Sequence, residues 1–383
     1  MKSSILSILT VLLIYSCQPV DELKSFKPGE IWKDNTGVDI NAHGGGIIYY
    51  NNIYYWFGEH KIEGEAGNKA YVGVHCYSSK DLYNWNDEGI ALEVVKNQPG
   101  HDIQEGCILE RPKVIYNKKT KKFVMWFHLE PKGNGYGAAK SGVAISDHIT
   151  GPYKYLHSLR ACPNSWPENG KYLKDIPVDP VLFTTELTGG SVPKHPDTLN
   201  IVKRDFETGQ DQRDQTLFVD DDGKAYHVYS SEVNSTLQIA ELTDDYTNHS
   251  GKYVRAFIGR FMEAPALFKS KGKYYLIASG CTGWDPNAAR SAVAPTIKGP
   301  WTELGNPCIG KDSALTFHSQ STFVLPVQGK KNAFIFMADR WNPENAIDGR
   351  YIWLPIMIRD NRIEIKWLNE WELNIFSNSK AGF

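Results

Sequence analysis

The stretch RDQTLFVDDDGKAYHVYSS (Arg213–Ser231) decides the fold. It opens on charged residues, runs into a short apolar strand, turns at Asp222-Gly223 and returns as an aromatic strand. Asp-Gly between two such runs is a strong short-range hairpin signal, because both residues tolerate the left-handed backbone of a tight turn. The same plan recurs in GGGIIYYNNIYYWFGEH (Gly44–His60), ERPKVIYNKKTKKFVMWFH (Glu110–His128), EAPALFKSKGKYYLIASG (Glu263–Gly280) and SQSTFVLPVQGKKNAFIFMAD (Ser319–Asp339). Start-to-start spacings are about 66, 103, 50 and 56 residues. Three of the hairpins are followed by a further strand and a Trp- or Tyr-containing stretch, with Gly151-Pro152-Tyr153 and Gly299-Pro300-Trp301 as one feature seen twice. Five four-stranded units of this length predict an all-β, five-bladed β-propeller; a β-sandwich is the competing architecture.

In a propeller the first strand of every blade lines the central channel. The residues that open the repeats therefore converge: Asn41 and His43, Glu110 and Arg111, Arg213 and Asp214, Glu263, and His318 and Gln320. Carboxylates are poor core residues, since an unpaired buried charge is costly. Three converging acids point to a site, with a buried structural network as the alternative reading.

The excess length in the second gap falls at about 157–212, rich in Pro, Gly, Asn and Asp. It reads as an insertion over the channel mouth, either a lid that shapes specificity or a surface loop. The 383 residues carry a net charge of −2, which argues against nucleic acid or an anionic membrane held by bulk electrostatics. Aromatics reach 12%, suited to a β core and to stacking on sugar rings.

The N-terminus, MKSSILSILTVLLIYSC, places Lys2 before an apolar run from Ile5 to Tyr15 that is too short to remain as a membrane span. It reads as a secretory signal. Its end resembles a bacterial lipobox, which implies cleavage before Cys17 and lipid on that sulfur. Residues 1–17 would then be signal peptide, 18–27 a tether, and 28–383 the propeller. The expected product is an exported lipoprotein of a bacterial outer membrane, facing periplasm or cell surface, touching the membrane only through its lipid. Cys76, Cys107, Cys162, Cys281 and Cys308 show no metal-binding spacing, and mostly free buried thiols are expected. Asp220–Gly223 reads as a turn rather than a calcium loop. No cofactor is expected. His43 and His318 near the axis leave room for a structural cation such as Ca²⁺. A monomer is expected.

The motifs carry a resemblance. RDQTLFVDDDGKAYHVY and MEAPALFKSKGKYYL resemble the third- and fourth-blade motifs of glycoside hydrolase family 43, five-bladed propellers that cleave plant glycans with inversion. The resemblance implies that Glu263 is the general acid and that Asp214 orients it and tunes its pKa. The family normally presents an Asp as general base on the first blade. Here Asn41-Ala42-His43 stands in its place, and Asp39 is out of register. AHGGGI, ERPKVIYN, SGCTGWDPN and SQSTFVLP resemble the exo-β-1,3-galactanase branch, which shares that departure. That branch implies that Gln320 holds the attacking water and that Glu110 supports it. It implies sugar contacts at His43, Glu59, Tyr136, Asn234 and Thr282, with Trp284 as a stacking platform. An amide is a poor Brønsted base. Either Gln320 acts through its imidic tautomer, or it positions water and Glu110 takes the proton. The implied substrate is an oligo- or polysaccharide of the β-1,3-galactan or arabinogalactan type, with an α-L-arabinofuranosidase or a non-catalytic glycan-capture propeller as the alternatives.

Overall fold

The computed structural model describes residues 22–283 and 285–377. Its strands form five sheets arranged as a five-bladed β-propeller, antiparallel except where Cys308–Ile309 pairs parallel to Arg362–Lys366. The blades open with His43–Tyr50, Cys107–Asn117, Gln215–Val219, Met262–Ser270 and Gln320–Pro326, and each adds its next three strands outward in chain order. Blade 2 gains the short strand Lys69–Ala70 on its inner edge, and blade 5 gains Cys308–Ile309 on its outer edge. Every hairpin expected from sequence pairs as antiparallel strands. The turn residues explain why. Asn51 and Asn52 both have positive φ, as do Lys271 and Gly272, which gives the tight turns a twist that matches the flanking strands. The two Gly-Pro features lie between the third and fourth strands of blades 2 and 4.

The ring closes through an aromatic core between blades 1 and 5. Trp56 lies 4.9 Å from Trp353 and 4.6 Å from Tyr351 between ring centroids. The N-terminal segment joins this core. Phe26 is buried against Trp371, and the two exchange backbone hydrogen bonds of 2.8 and 3.0 Å. The expected 18–27 tether is corrected here: from Leu23, bonded through its backbone to Asn84, the chain is seated on the propeller. The expected signal segment and Cys17 lie outside the described residues. The five described cysteines are free thiols. At the Asp220–Gly223 turn, Asp220 is engaged by Lys269 and Tyr274.

The insertion starts slightly later than expected, because the fourth strand of blade 2 runs from Lys154 to Leu159. Its ends are pinned by an Ala161–Gln210 bridge. It holds four short helical turns and a small core of Leu182, Val192, Leu199 and Ile201 packed on Val233 of blade 3. The guanidinium of Arg255, buried in blade 3, anchors it through Asp197 at 2.6 Å.

Candidate active site

The openings of the first strands share a backbone irregularity. In blades 1, 2 and 4 the pairing slips just after His43, Glu110 and Glu263. The residue that follows each, Gly44, Arg111 and Ala264, has φ near +55 to +60: +61, +53 and +53°. A bulge of this kind re-aims the preceding side chain. It also turns the left-handed residue's N–H toward the neighbouring blade, where a carboxylate accepts it. Gly44 N donates to Asp339 Oδ2 of blade 5 at 2.5 Å, Arg111 N to Glu59 Oε1 of blade 1 at 2.8 Å, and Ala264 N to Asp214 Oδ2 at the head of blade 3 at 3.0 Å. Three seams of the ring are thus clasped at the channel.

These clasps frame a cavity of about 770 Å³ at the opening ends of the first strands. Glu59, Glu110, Arg111, Asp214, Glu263 and Gln320 lie on its wall. The propeller fold therefore brings together all four expected catalytic residues. Arg111 is their hub. Its Nε lies 2.8 Å from Asp214 Oδ1, its Nη2 donates to Gln320 Oε1 at 2.5 Å, and its Nη1 donates to Ser321 O at 3.0 Å.

The two acids are driven apart in proton affinity. Burial, reinforced by the charge of Asp214, pushes Glu263 up to about 7. Asn234 Nδ2 donates to Glu263 Oε1 at 2.7 Å. Asn234 ends a run of three left-handed residues, Glu232, Val233 and Asn234, which Asp211 holds by accepting the N–H groups of Glu232 and Val233. A residue at the end of the insertion thus positions the partner of the acid. Glu110 behaves oppositely. Burial alone would raise it, but His128 Nδ1 at 2.6 Å, Tyr136 Oη at 2.8 Å and the charges of His128 and Lys61 hold it below the ordinary carboxylate range. His128 lies between Glu110 and Glu130, and those carboxylates outweigh its burial and push it up to about 9. Below about pH 7 the site therefore pairs a protonated Glu263 with an ionised Glu110, the division of labour that acid-assisted hydrolysis needs.

The other expected contacts divide. Tyr136 and Asn234 line the cavity beside the acids. Glu59 lies on the wall, but its carboxylate is engaged by Arg111 N and by Lys61 Nζ at 2.6 Å. His43 is fully buried behind the wall, against Trp341 and Tyr351, so it does not reach a sugar directly. Thr282 is bonded to Asp285 O and Asn287, and the cavity wall takes Gly283 beside it instead. Trp284 lies outside the described residues. His318 is half exposed beside Asp312, away from His43, so the two do not form a cation site. Lys113 Nζ donates to Gly44 O at 2.8 Å, and burial pushes that amine down to about 7. Among the described residues no cluster of His, Cys, Asp or Glu has the arrangement of a metal site.

A family model for glycosyl hydrolases family 43 matches residues 195–351. Among solved structures, a GH43 β-1,3-galactosidase with galactodeoxynojirimycin is 51% identical, with a TM-score of 0.84, covering 91% of this chain and 100% of that one. The chain belongs to glycoside hydrolase family 43. An exo-β-1,3-galactanase from Clostridium thermocellum is 33% identical, with a TM-score of 0.73 over 90% of this chain and 66% of that one. One from Phanerochaete chrysosporium, with galactose, is 30% identical, with a TM-score of 0.73 over 92% of this chain and 69% of that one. No curated protein matched the chain. Membership of family 43 makes the chain a glycosidase whose neighbours act on β-1,3-galactosides.

Against this family-43 frame, sequence reasoning missed Arg111 as hub, His128 and Glu130 behind Glu110, and Asp339 beside Gln320. Asp339 stands directly across the strand pair from Gln320, and burial pushes it up to about 7 despite the Gly44 N–H. These residues end the second strands, in FHLE and MADR, where a polar residue closes an apolar run. That signal mirrors the one at the openings and was available.

Proposed function

We propose that this glycosidase is exo-acting on β-1,3-galactan or arabinogalactan-type glycans and inverts the anomeric centre. The observation that carries the proposal is a protonated Glu263 held by Asn234 and Asp214, in one cavity with an ionised Glu110 and the Arg111-bound Gln320. Glu263 donates its proton to the leaving oxygen. Gln320 Oε1 already accepts from the Arg111 guanidinium and its Nε2 donates to Ser279 Oγ at 2.8 Å. A proton placed on Oε1 would face that cation, which disfavours the imidic tautomer. Gln320 therefore orients the water, and Glu110 takes the proton. Each Glu110 oxygen keeps a spare lone pair beyond the bond it already accepts.

The test is release of galactose from β-1,3-galactan, with the anomer of the first product followed by NMR. Hydrolysis should yield the inverted anomer and disappear in Glu263→Gln. Release of arabinose without galactose would move the substrate to arabinofuranosides, and glycan binding without turnover would make the chain a capture module.

We further propose that the chain is exported and anchored through lipid on Cys17, on the strength of the lipobox-like end of its apolar N-terminal run. Cys17→Ala should free the protein from the membrane fraction, which retention there would contradict.

A further inference from the structure

The insertion contributes more than steric cover. Three arginines stand on the insertion and at its junctions with the blades: Arg160, Arg204 on the last helical turn, and Arg213, which opens the third repeat. All three line the cavity that holds Glu110 and Glu263. Their counter-charges are buried more deeply. The side chains of Arg160, Arg204 and Arg213 are 20, 23 and 18% exposed, while those of Asp205, Asp211 and Glu130 are 6, 3 and 0% exposed. The cations are thus more exposed than their counter-charges, of which Asp211 also reaches the cavity wall.

The pairing is also incomplete. Asp205 serves two guanidiniums at once, Arg160 Nη2 at 2.9 Å and Arg204 through Nε at 2.8 Å and Nη2 at 2.7 Å. Two guanidiniums share that carboxylate directly, with the charge of Asp211 nearby. Arg160 Nε is buried with no hydrogen-bond partner among the described residues. Arg213 stands no closer than 3.7 Å to an acid and spends Nη1 on Tyr136 O at 2.7 Å. Since Tyr136 donates to Glu110, this cationic wall adjoins the reacting carboxylates.

We propose that the insertion builds a subsite for an oxyanion carried by the glycan, a uronic-acid carboxylate or a sulfate ester. The proposal rests on the glycan hydrolysis argued above. Planar guanidiniums with uncommitted edges match the paired oxygens of such groups, and in a cavity shielded from solvent that contact is worth more than in open water. Glu186, exposed on the same insertion and on the same cavity wall, repels the anion.

The experiment compares kcat/KM on β-1,3-galactobiose bearing a neutral hexose, a hexuronic acid or a sulfate ester, at low and high salt. The wild type should prefer an acidic substrate over the neutral one, and salt should weaken that preference. Loss of one charge-assisted contact in Arg160→Gln or Arg204→Gln should cut the ratio roughly tenfold. Arg204→Lys, which keeps the charge, should retain part of it and guards against misfolding. Glu186→Gln should raise the ratio. A preference confined to the uronic acid or to the sulfate supports the subsite and names its ligand. A ratio near one in the wild type, or one unmoved by the arginine variants, overturns the subsite while leaving the hydrolase reading intact. Failure to cleave even the neutral compound strikes the hydrolase reading instead.

Discussion

Replacing Asp214 by Asn separates two tasks that one carboxylate performs. Asp214 raises the proton affinity of Glu263 by its charge, and it orients blade 4 by accepting Ala264 N at 3.0 Å and Arg111 Nε at 2.8 Å. Glu263 stands at about 7 against an ordinary 4.5, with burial as the larger cause and Asp214 the second. Assigning Asp214 the smaller share puts Glu263 at about 6 in the variant, and the Arg111 charge, released from its partner, pulls the same way. Glu263 must be protonated to act, so its titration sets the alkaline limb of kcat/KM. At pH 8 the protonated fraction falls from about a tenth to about a hundredth; at pH 5 it stays above about nine-tenths in both proteins. The variant's deficit should therefore grow roughly eightfold between pH 5 and 8, on top of a pH-independent loss from the broken hydrogen bond. The assay is the pH profile of galactose release for both proteins. A deficit constant across that range would refute the electrostatic role and leave Asp214 a positioning group alone.

Gln320→Ala should lower kcat about 100-fold while the fold persists, since a positioned group at the reacting water contributes on that scale; steady-state kinetics with a circular dichroism control checks it. The contribution of His128 to stability should fall as pH rises from 6.5 to 9, against an opposite contribution from Lys113, which burial pushes down to about 7. Folded His128 keeps its proton to about 9 while the unfolded chain releases it near 6.5, so the folded state binds more protons across that window. The loss approaches about 3 kcal/mol, and urea denaturation should show that contribution vanish in His128→Gln. On the acid side, buried His43 and His249, each pushed down to about 3, stay neutral while the unfolded chain takes up protons below about 6.5. Stability should fall there too, and His249→Phe should flatten that limb in the same assay. Phe26→Ala should cost about 3–5 kcal/mol by opening a hole where the chain ends meet, read as a lower urea midpoint.

How much of this was visible in the sequence follows from backbone geometry. The blades were legible because hairpin turns and apolar runs are local signals. The acids that open them were legible because a charge ahead of an apolar strand has few other uses. The role of Arg111 as hub is not legible, since simple strand alternation sends it away from Glu110; the left-handed bulge cancels that alternation. His43 matched a motif position, yet the packing of Trp341 and Tyr351 encloses it. The insertion has no periodicity, so its arginines gave no hint that they face the cavity. Glu130 and Asp339 close second strands, a polar ending that the sequence displays, and pairing register brings them to the site.

The seam clasps have a consequence for how the molecule tolerates being cut. A circularly permuted chain whose new ends lie in a turn remote from the clasps, such as Asp221–Gly223, keeps every amide–carboxylate contact at the channel. One opened between Gly44 and Gly46 does not. Activity should therefore track the integrity of the inner ring rather than the continuity of the chain. Here residues of the cavity wall double as the joinery, and a blade lent by a separate polypeptide would suffice if it brought its carboxylate to the neighbouring amide.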